Sequence, residues 1–393
     1  MLTNDAFRPT WAEIGLEALA HNIKEVRRLI GKAKKCCAVV KADAYGHGVV
    51  EAAKVFMENG ADYLAVATLS EALELRHHFL EMPILILGYT PNSQLIEVVD
   101  HHITQTIYNK EMGEVLSSYA QLLNKSVKVH IKVDTGMSRL GFQVNEKNME
   151  TILAISKLPS IEIEGIFTHF ARADEADKGY THQQFEEYQK IVQELEVKGL
   201  RIPIKHVANS ATIIDLPEYH LDMVRAGIML YGLYPSDQVK KENANLKPAM
   251  SLKTKLSNVK FVEKGQGISY GHIYHAEKKV VIGTLPLGYA DGFTRLLSGK
   301  SFVGIRGVSY PLVGRICMDQ CMVLLKDDWL EIGEEVHIFG NGSHGEPHID
   351  EVANIIGTIN YEIVCMVGRR VPRVYVRQTE IIGIKDYLKI KNR

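Results

Sequence analysis

Short apolar runs recur along residues 36–230, each followed by a longer stretch in which apolar positions fall three or four apart. The eight runs are CCAVVK (36–41), YLAVAT (63–68), PILILG (83–88), ITQTIY (103–108), KVHIKVD (128–134), IEGIFTH (163–169), IKHVAN (204–209) and MVRAGIML (223–230). Runs this short and apolar read as strands buried on both faces. The stretches between them read as amphipathic helices. In HQQFEEYQKIVQELEVKG, Phe185, Tyr188, Val192 and Leu195 share one helical face and Gly199 supplies a stop. Strand–helix alternation predicts a parallel sheet, and eight repeats predict closure into a (β/α)8 barrel; a doubly wound open sheet is the competing architecture.

From about residue 250 the pattern changes to β-rich runs punctuated by glycines at turn positions. SLKTKLSNVKFVEKGQGISYG, VVIGTLPLGYADGF, SFVGIRGVSYPLVGRICMDQCMVLL and EIGEEVHIFGNGSHG are of this kind, with helix expected near IDEVANIIGTINYEIVCMVG. The polar segment SDQVKKENANLKPA (236–249) reads as a linker. The expectation is an α/β barrel over residues 1–244, followed by a mainly-β C-terminal domain over 245–393.

A chain of 393 residues accommodates two such domains. Its net charge of −1 gives no electrostatic case for nucleic acid or an anionic membrane. No apolar run approaches the roughly 20 residues of a membrane span, and no basic-then-apolar leader opens the chain. The five cysteines (Cys36, Cys37, Cys317, Cys321, Cys365) are scattered, which fits a reducing cytoplasm better than a disulfide scaffold. His344 and His348 lack a third ligand in the sequence, so a hairpin loop explains them and no metal is expected.

Reactive residues fall where barrel active sites collect, at the C-terminal ends of the strands. Lys41 ends the first run, Arg139 follows the fifth and His169 ends the sixth. Asn209 and Ser210 follow the seventh, and Arg225 and Gly227 lie on the eighth. For Lys41 alone the competing reading is a snorkelling strand-end lysine, for His169 a core histidine, and for Ser210 a helix N-cap. A phosphate is expected after strands seven and eight, where Ser210 offers a hydroxyl and Gly227 and Ile228 offer backbone N–H groups. A phosphate there and a lysine across the mouth is the requirement of pyridoxal 5'-phosphate. Its aldehyde forms a Schiff base with lysine, and its ring takes up carbanion electrons.

AVVKADAYGHG, KVDTGMSRLGF, THFARADE, HVANSA, MVRAGIMLYG, ISYG, LPLGYADGF, VGRICMDQCM and TINYEIVCMVGRRVPRVY occur in an order that resembles bacterial alanine racemases, from about Phe7 to Tyr375. The resemblance implies a homodimer in which the β domain of one subunit completes the active site of the other. It implies two acid/base groups, Lys41 (also the Schiff-base lysine) and the partner subunit's Tyr270. Tyr45, Ser210, Gly227, Ile228 and Tyr361 match the phosphate contacts, and Arg225 matches the arginine facing the pyridine nitrogen. His169 matches the link from that arginine to the tyrosine. Arg139 matches the group holding the cofactor phenolic oxygen and the substrate carboxylate, and Met318 and Asp319 match substrate-side residues of the partner chain. Lys132 matches a lysine carbamylated in many members. Tyr289, Asp291, Arg295, Arg315 and Arg172 match an entrance corridor, against which a surface or structural role competes.

One departure stands out: Ser138 occupies a position where many members carry glycine. The implied activity is interconversion of L- and D-alanine, supplying D-alanine for peptidoglycan. A serine or broad-specificity racemase and a non-catalytic pyridoxal-phosphate carrier are the alternatives.

Overall fold

The computed structural model describes residues 7–389. All eight expected barrel strands are present, at Lys35–Val39 (β2), Tyr63–Val66 (β3), Ile84–Ile86 (β4), Thr104–Ile107 (β5), Val127–Asp134 (β6), Ile161–Phe167 (β7), Ile204–His206 (β8) and Met223–Ala226 (β9), after a first strand β1 at Thr10–Gly15. Their ladder runs β9-β2-β3-β4-β5-β6-β7-β8, every pair parallel. Backbone bonds from Asp222 N–H to Lys205 O (3.1 Å) and from Arg225 N–H to Ala208 O (2.9 Å) bring β9 and β8 together, so the barrel nearly closes. The alternating helices bury one face each: Phe185, Tyr188, Val192 and Leu195 of helix Gly179–Val197 are all buried, and Tyr188 Oη donates to Ile166 O of β7. Gly199 takes the left-handed φ of +91° that ends this helix.

Parallel strands expose all their C-terminal ends on one rim, and this places Lys41, Arg139, His169, Asn209, Ser210 and Gly227 at or just past that rim. The barrel interior departs from the usual branched aliphatic filling. On β6, alternation puts His130 and Lys132 on one face and Val129, Ile131 and Val133 on the other. Inside, Phe167 stacks on His206 at 4.7 Å, with Lys132 Nζ and the Arg225 guanidinium carbon each 5.1 Å from the Phe167 ring.

The mainly-β unit is a ten-stranded sheet among the described residues. Its strands after β1 are Met250–Lys255 (β10), Asn258–Val262 (β11), Val280–Leu285 (β12), Phe302–Ile305 (β13), Val308–Val313 (β14), Cys321–Lys326 (β15), Glu335–Phe339 (β16), Arg373–Arg377 (β17) and Glu380–Lys385 (β18). Their order is β11-β12-β15-β14-β13-β16-β10-β1-β17-β18. Helices Ile349–Ile356 and Asn360–Met366 stand where helix was expected.

The division of the chain differs from a single cut between residues 244 and 245. Among the described residues, those before Leu19, Tyr45–Gly48 and those from Pro248 form one compact unit; Leu19–Ala44 and Val49–Lys247 form the other. The physical reason is strand pairing at long range. β1 lies antiparallel to β10, with Trp11 opposite Lys253, and parallel to β17, with Glu13 opposite Val374. Thr10 and Thr254 share a hydroxyl hydrogen bond of 2.8 Å, and Lys253 pairs with Glu13 at 2.9 Å. Residues 236–247 are a strap bound to the barrel unit, not a free linker: Val239 and Leu246 are buried, Asn243 Nδ2 donates to Ile214 O, and Lys247 N–H donates to Asn22 Oδ1.

Candidate active site

The backbone after β2 turns in an unusual way. Ala42, Asp43, Ala44 and Tyr45 all hold φ between +52° and +55°, one left-handed helical turn without a glycine. Such a turn costs roughly 1–2 kcal/mol per residue in an L-chain, so it persists only where neighbours fix it. Asp43 Oδ1 accepts from Val49 N–H (2.8 Å), and Glu71 Oε1 accepts from Ala42 N–H (2.6 Å). The other Glu71 oxygen accepts from Ala67 N–H (2.8 Å), so one carboxylate joins the strand that follows Lys41 in the barrel to the lysine's own turn. The strained turn sets the direction in which Lys41 leaves the barrel rim.

On the barrel unit, Arg225 organises the interior. Its Nη1 donates to His206 Nδ1 (2.9 Å) and His206 O (3.0 Å); its Nη2 donates to Thr168 O (2.8 Å), Val207 O (3.1 Å) and His169 Nδ1 (3.4 Å). Every acceptor is neutral, and its Nε makes no hydrogen bond among the described residues. Burial pushes the guanidinium down to about 10, which leaves it charged at neutral pH. Because His169 Nδ1 accepts from Arg225, its proton sits on Nε2, available to a further acceptor. Burial and then the charges of Arg225, Lys132, Arg139 and Lys41 hold His169 well below the usual imidazole range, so it stays neutral. Lys132 is pushed well below the usual lysine range by burial and by Arg225, and its Nζ donates to Val133 O at 3.0 Å.

The expected phosphate corner is assembled in part from groups already bonded to one another. Ser210 Oγ, buried, accepts from Gly227 N–H at 3.0 Å. Ile228 opens a 3-10 turn (Ile228–Tyr231), whose first N–H groups have no partner within the turn. The helix cap here is Asn209 and not Ser210: Asn209 Oδ1 accepts from Thr212 N–H at 3.0 Å, and Ser210 begins the helix.

Arg139 is exposed in the loop after β6, next to Ser138 at φ +55°. Ser138 N–H donates to Asp134 Oδ1 (3.0 Å), which holds the loop in a shape suited to glycine. Ser138→Gly is expected to raise stability by about 0.5 kcal/mol. Relief of roughly 1–2 kcal/mol of left-handed strain outweighs the extra flexibility of the unfolded chain. Thermal unfolding of the two proteins side by side checks this; a lower midpoint for the variant contradicts it. Arg172 is half-exposed and paired with Glu175 (Nε–Oε2 2.7 Å), which makes it a surface ion pair.

The other predicted residues belong to the β unit. Tyr45 lies 6.1 Å from the Tyr361 ring, and the glycines beside Tyr45 explain themselves. A Cβ on Gly46 would come within 2.4 Å of Val364 O, and one on Gly48 within 1.9 Å of Tyr375 Oη. Tyr270 is 67% exposed. Its turn is braced by Ser269 Oγ donating to Arg315 O at 2.6 Å. Met318 is exposed, and Asp319 accepts from Arg370 at 2.7 Å. Tyr289 and Arg295 are exposed. Asp291 is fully buried, pairs with Arg8 and accepts from Gly288 N–H, so its role is structural. His344 stacks on His337 at 4.2 Å, and His348 caps helix Ile349–Ile356.

The sequence reading missed His206, His130 and Glu164, which stand behind Arg225, and Glu71, which braces the lysine turn. A signal for the two histidines exists: polar residues in strands of a parallel barrel, where both faces are normally apolar.

Comparison with known proteins places this architecture. The family model for the N-terminal domain of alanine racemase matches residues 14–235, and that for the C-terminal domain matches residues 249–375. An alanine racemase of Methanococcus maripaludis is 51% identical over 369 residues, covering 94% of this chain and 99% of its own. That of Clostridium perfringens (strain SM101) is 48% identical over 382 residues, covering 97% and 99%. The solved alanine racemase of Clostridium difficile 630 superposes with a TM-score of 0.94 at 46% identity, covering 99% of this chain and 100% of that one. With both domains matched along nearly the whole length, the chain belongs to the alanine racemase family of isomerases.

Proposed function

We propose that this chain interconverts L- and D-alanine with pyridoxal 5'-phosphate held at the barrel rim, Lys41 and the partner subunit's Tyr270 handling the α-proton on opposite faces. The observation that carries the reading is Arg225, a buried cation bonded only to neutral acceptors, with its Nε making no hydrogen bond among the described residues. An unprotonated pyridine nitrogen fits that donor. The cofactor, when bound, supplies an aldehyde to take the amine and a ring that accepts carbanion electrons. Lys41 would hold it covalently; Ser210, Gly227 and Ile228, with Tyr45 and Tyr361, would hold its phosphate.

The chain's own residues do the rest. Arg225 donates a hydrogen bond and retains its proton, which keeps the ring a weak electron sink. His169, neutral with its proton on Nε2, is suited to donate to a tyrosinate oxygen. Arg139 would orient the substrate carboxylate, with Met318 and Asp319 of the partner subunit on the far side. We assign carbamylation to Lys132: burial and the Arg225 charge favour its neutral amine, which adds to carbon dioxide, forming an N–C bond and releasing one proton to solvent. The carbamate gives Arg139 an anionic partner. Tyr361 walls a small side-chain space and favours alanine over serine.

We further place the protein in the cytoplasm as a homodimer supplying D-alanine to peptidoglycan synthesis. Among the described residues no helix is long and apolar enough to cross a membrane. The test is a chiral assay of purified protein with added pyridoxal 5'-phosphate on a panel of L-amino acids. L-Alanine is expected to become a near-equal mixture of enantiomers. Comparable turnover of serine replaces the substrate assignment. Cofactor bound to Lys41 with no turnover of any substrate replaces racemase with carrier.

A further inference from the structure

A directional chain of hydrogen bonds crosses the barrel interior behind Arg225. Guanidinium has donors only, so its 2.9 Å contact makes His206 Nδ1 an acceptor and puts the His206 proton on Nε2. That Nε2 lies 2.8 Å from His130 Nδ1, which must then accept, so the His130 proton is also on Nε2. His130 Nε2 faces Glu164 Oε2 at 3.2 Å, and Glu164 Oε1 receives Lys128 Nζ at 2.7 Å. The two ends, one cation and one carboxylate, place every proton between them.

The fold is built to hold this chain. The β6–β7 register slips between Val129 opposite Ile163 and His130 opposite Gly165, so Glu164 is the extra residue of a bulge. A bulge re-aims a side chain, and here the carboxylate is turned to His130. The next residue is Gly165, where a Cβ would come within 2.5 Å of His130 Nδ1. Both histidines are fully buried. Burial, outweighing Glu164, lowers His130, and burial with the Arg225 charge lowers His206, so both are neutral and each has one proton to place.

The same three side chains admit one other pattern. With both protons on Nδ1, His130 donates to His206 Nε2, and His206 Nδ1–H then points at an Arg225 N–H 2.9 Å away. That pattern costs Arg225 an acceptor and leaves its Nη1 with the His206 carbonyl alone. An anionic Glu164 selects against it, because a carboxylate accepts from Nε2–H and has nothing to donate.

We propose that Glu164 and His130 are positioning residues that fix the His206 tautomer and thereby hold Arg225 in its working orientation from the far side of the barrel interior. The effect on turnover rests on the racemase reading; the tautomer assignment does not.

The test uses the holoenzyme labelled with 15N in histidine, whose long-range 1H–15N correlations distinguish the two tautomers. Wild type is expected to show Nε2–H at both His130 and His206. Glu164→Gln keeps the shape, but its amide both donates and accepts, so His206 is expected to populate Nδ1–H. Racemisation kcat should fall about tenfold, the worth of one hydrogen bond to a charged group, with KM nearly unchanged. Glu162→Gln, an exposed charge on the same strand, should move neither readout. His130→Gln supplies a second variant if Glu164→Gln folds poorly, and is expected to shift His206 likewise. A His206 signal that stays Nε2–H in the variants overturns the proposal, whether or not kcat falls, since Arg225 alone then sets the proton. A shifted tautomer with unchanged kcat overturns the link to Arg225. Absence of racemase activity in wild type defeats the racemase reading and leaves the tautomer result standing.

Discussion

The Arg225→Glu variant is expected to raise the ratio of transamination to racemisation at least tenfold, while Arg225→Lys lowers turnover with the ratio unchanged. Arg225 stays charged at neutral pH even with its pKa pushed down to about 10, so it offers a bound pyridine nitrogen a hydrogen bond and no proton. A buried carboxyl group is different, because burial raises its pKa and favours a proton shared with the ring. Glutamate at 225 would therefore share a proton where arginine only donates a hydrogen bond, and the cofactor, when bound, would be a stronger electron sink, which favours transamination. Lysine keeps the charge but cannot span the acceptors at the end of β8 and just past β7, so it weakens positioning alone. The glutamate variant should also lose stability, by about 3–5 kcal/mol. It strands His206 Nδ1, three backbone carbonyls and His169 Nδ1. Product analysis by keto-acid and D-amino-acid assays on the cofactor-loaded variants checks the ratio; an unchanged ratio in Arg225→Glu removes this role from Arg225.

The barrel was legible because its strands are buried on both faces and separated by amphipathic helices, which leaves a local periodic signal for each element. The rim residues followed from that map, since parallel strands place their C-terminal ends together. What local pattern does not carry is the identity of a distant partner. TWAEIG is not among the expected strands, and nothing within it tells that it pairs with residues 250–254 and 373–376. The polar strap at 236–247 reads as a linker because its hydrogen bonds go to partners elsewhere in the barrel unit, the Ile214 carbonyl and the Asn22 side chain among them, which composition does not encode. The left-handed turn after Lys41 is invisible for the opposite reason: Ala, Asp, Ala and Tyr give no glycine to mark it, and the bonds from Ala42 to Glu71 and from Val49 to Asp43 that hold it reach residues outside the turn. Glu164 was hidden by the bulge, which breaks the alternation that would have assigned it to the interior.

Replacing Tyr270 by phenylalanine is expected to lower racemisation in both directions by about 10²–10⁴-fold, the usual worth of a positioned acid or base. Exchange of the α-proton with solvent should persist for one enantiomer only. A racemase must take a proton from one face and return one to the other, so losing either group stops net conversion. The group that remains still removes and returns a proton on its own face. Tyr270 suits this division: it is exposed on its own chain, on a turn braced by Ser269 against the Arg315 carbonyl, where another subunit can meet it. On the barrel, His169 has its Nε2–H available as the donor for an incoming phenol oxygen. Phenylalanine keeps the ring and removes only the oxygen, so cofactor binding should be unchanged, which absorbance of the loaded protein verifies. The decisive measurement is exchange in heavy water from pure D-alanine and from pure L-alanine. Exchange retained for one and lost for the other supports a base on each face. Equal loss for both enantiomers assigns Tyr270 to binding, and full-rate racemisation removes it from the chemistry altogether.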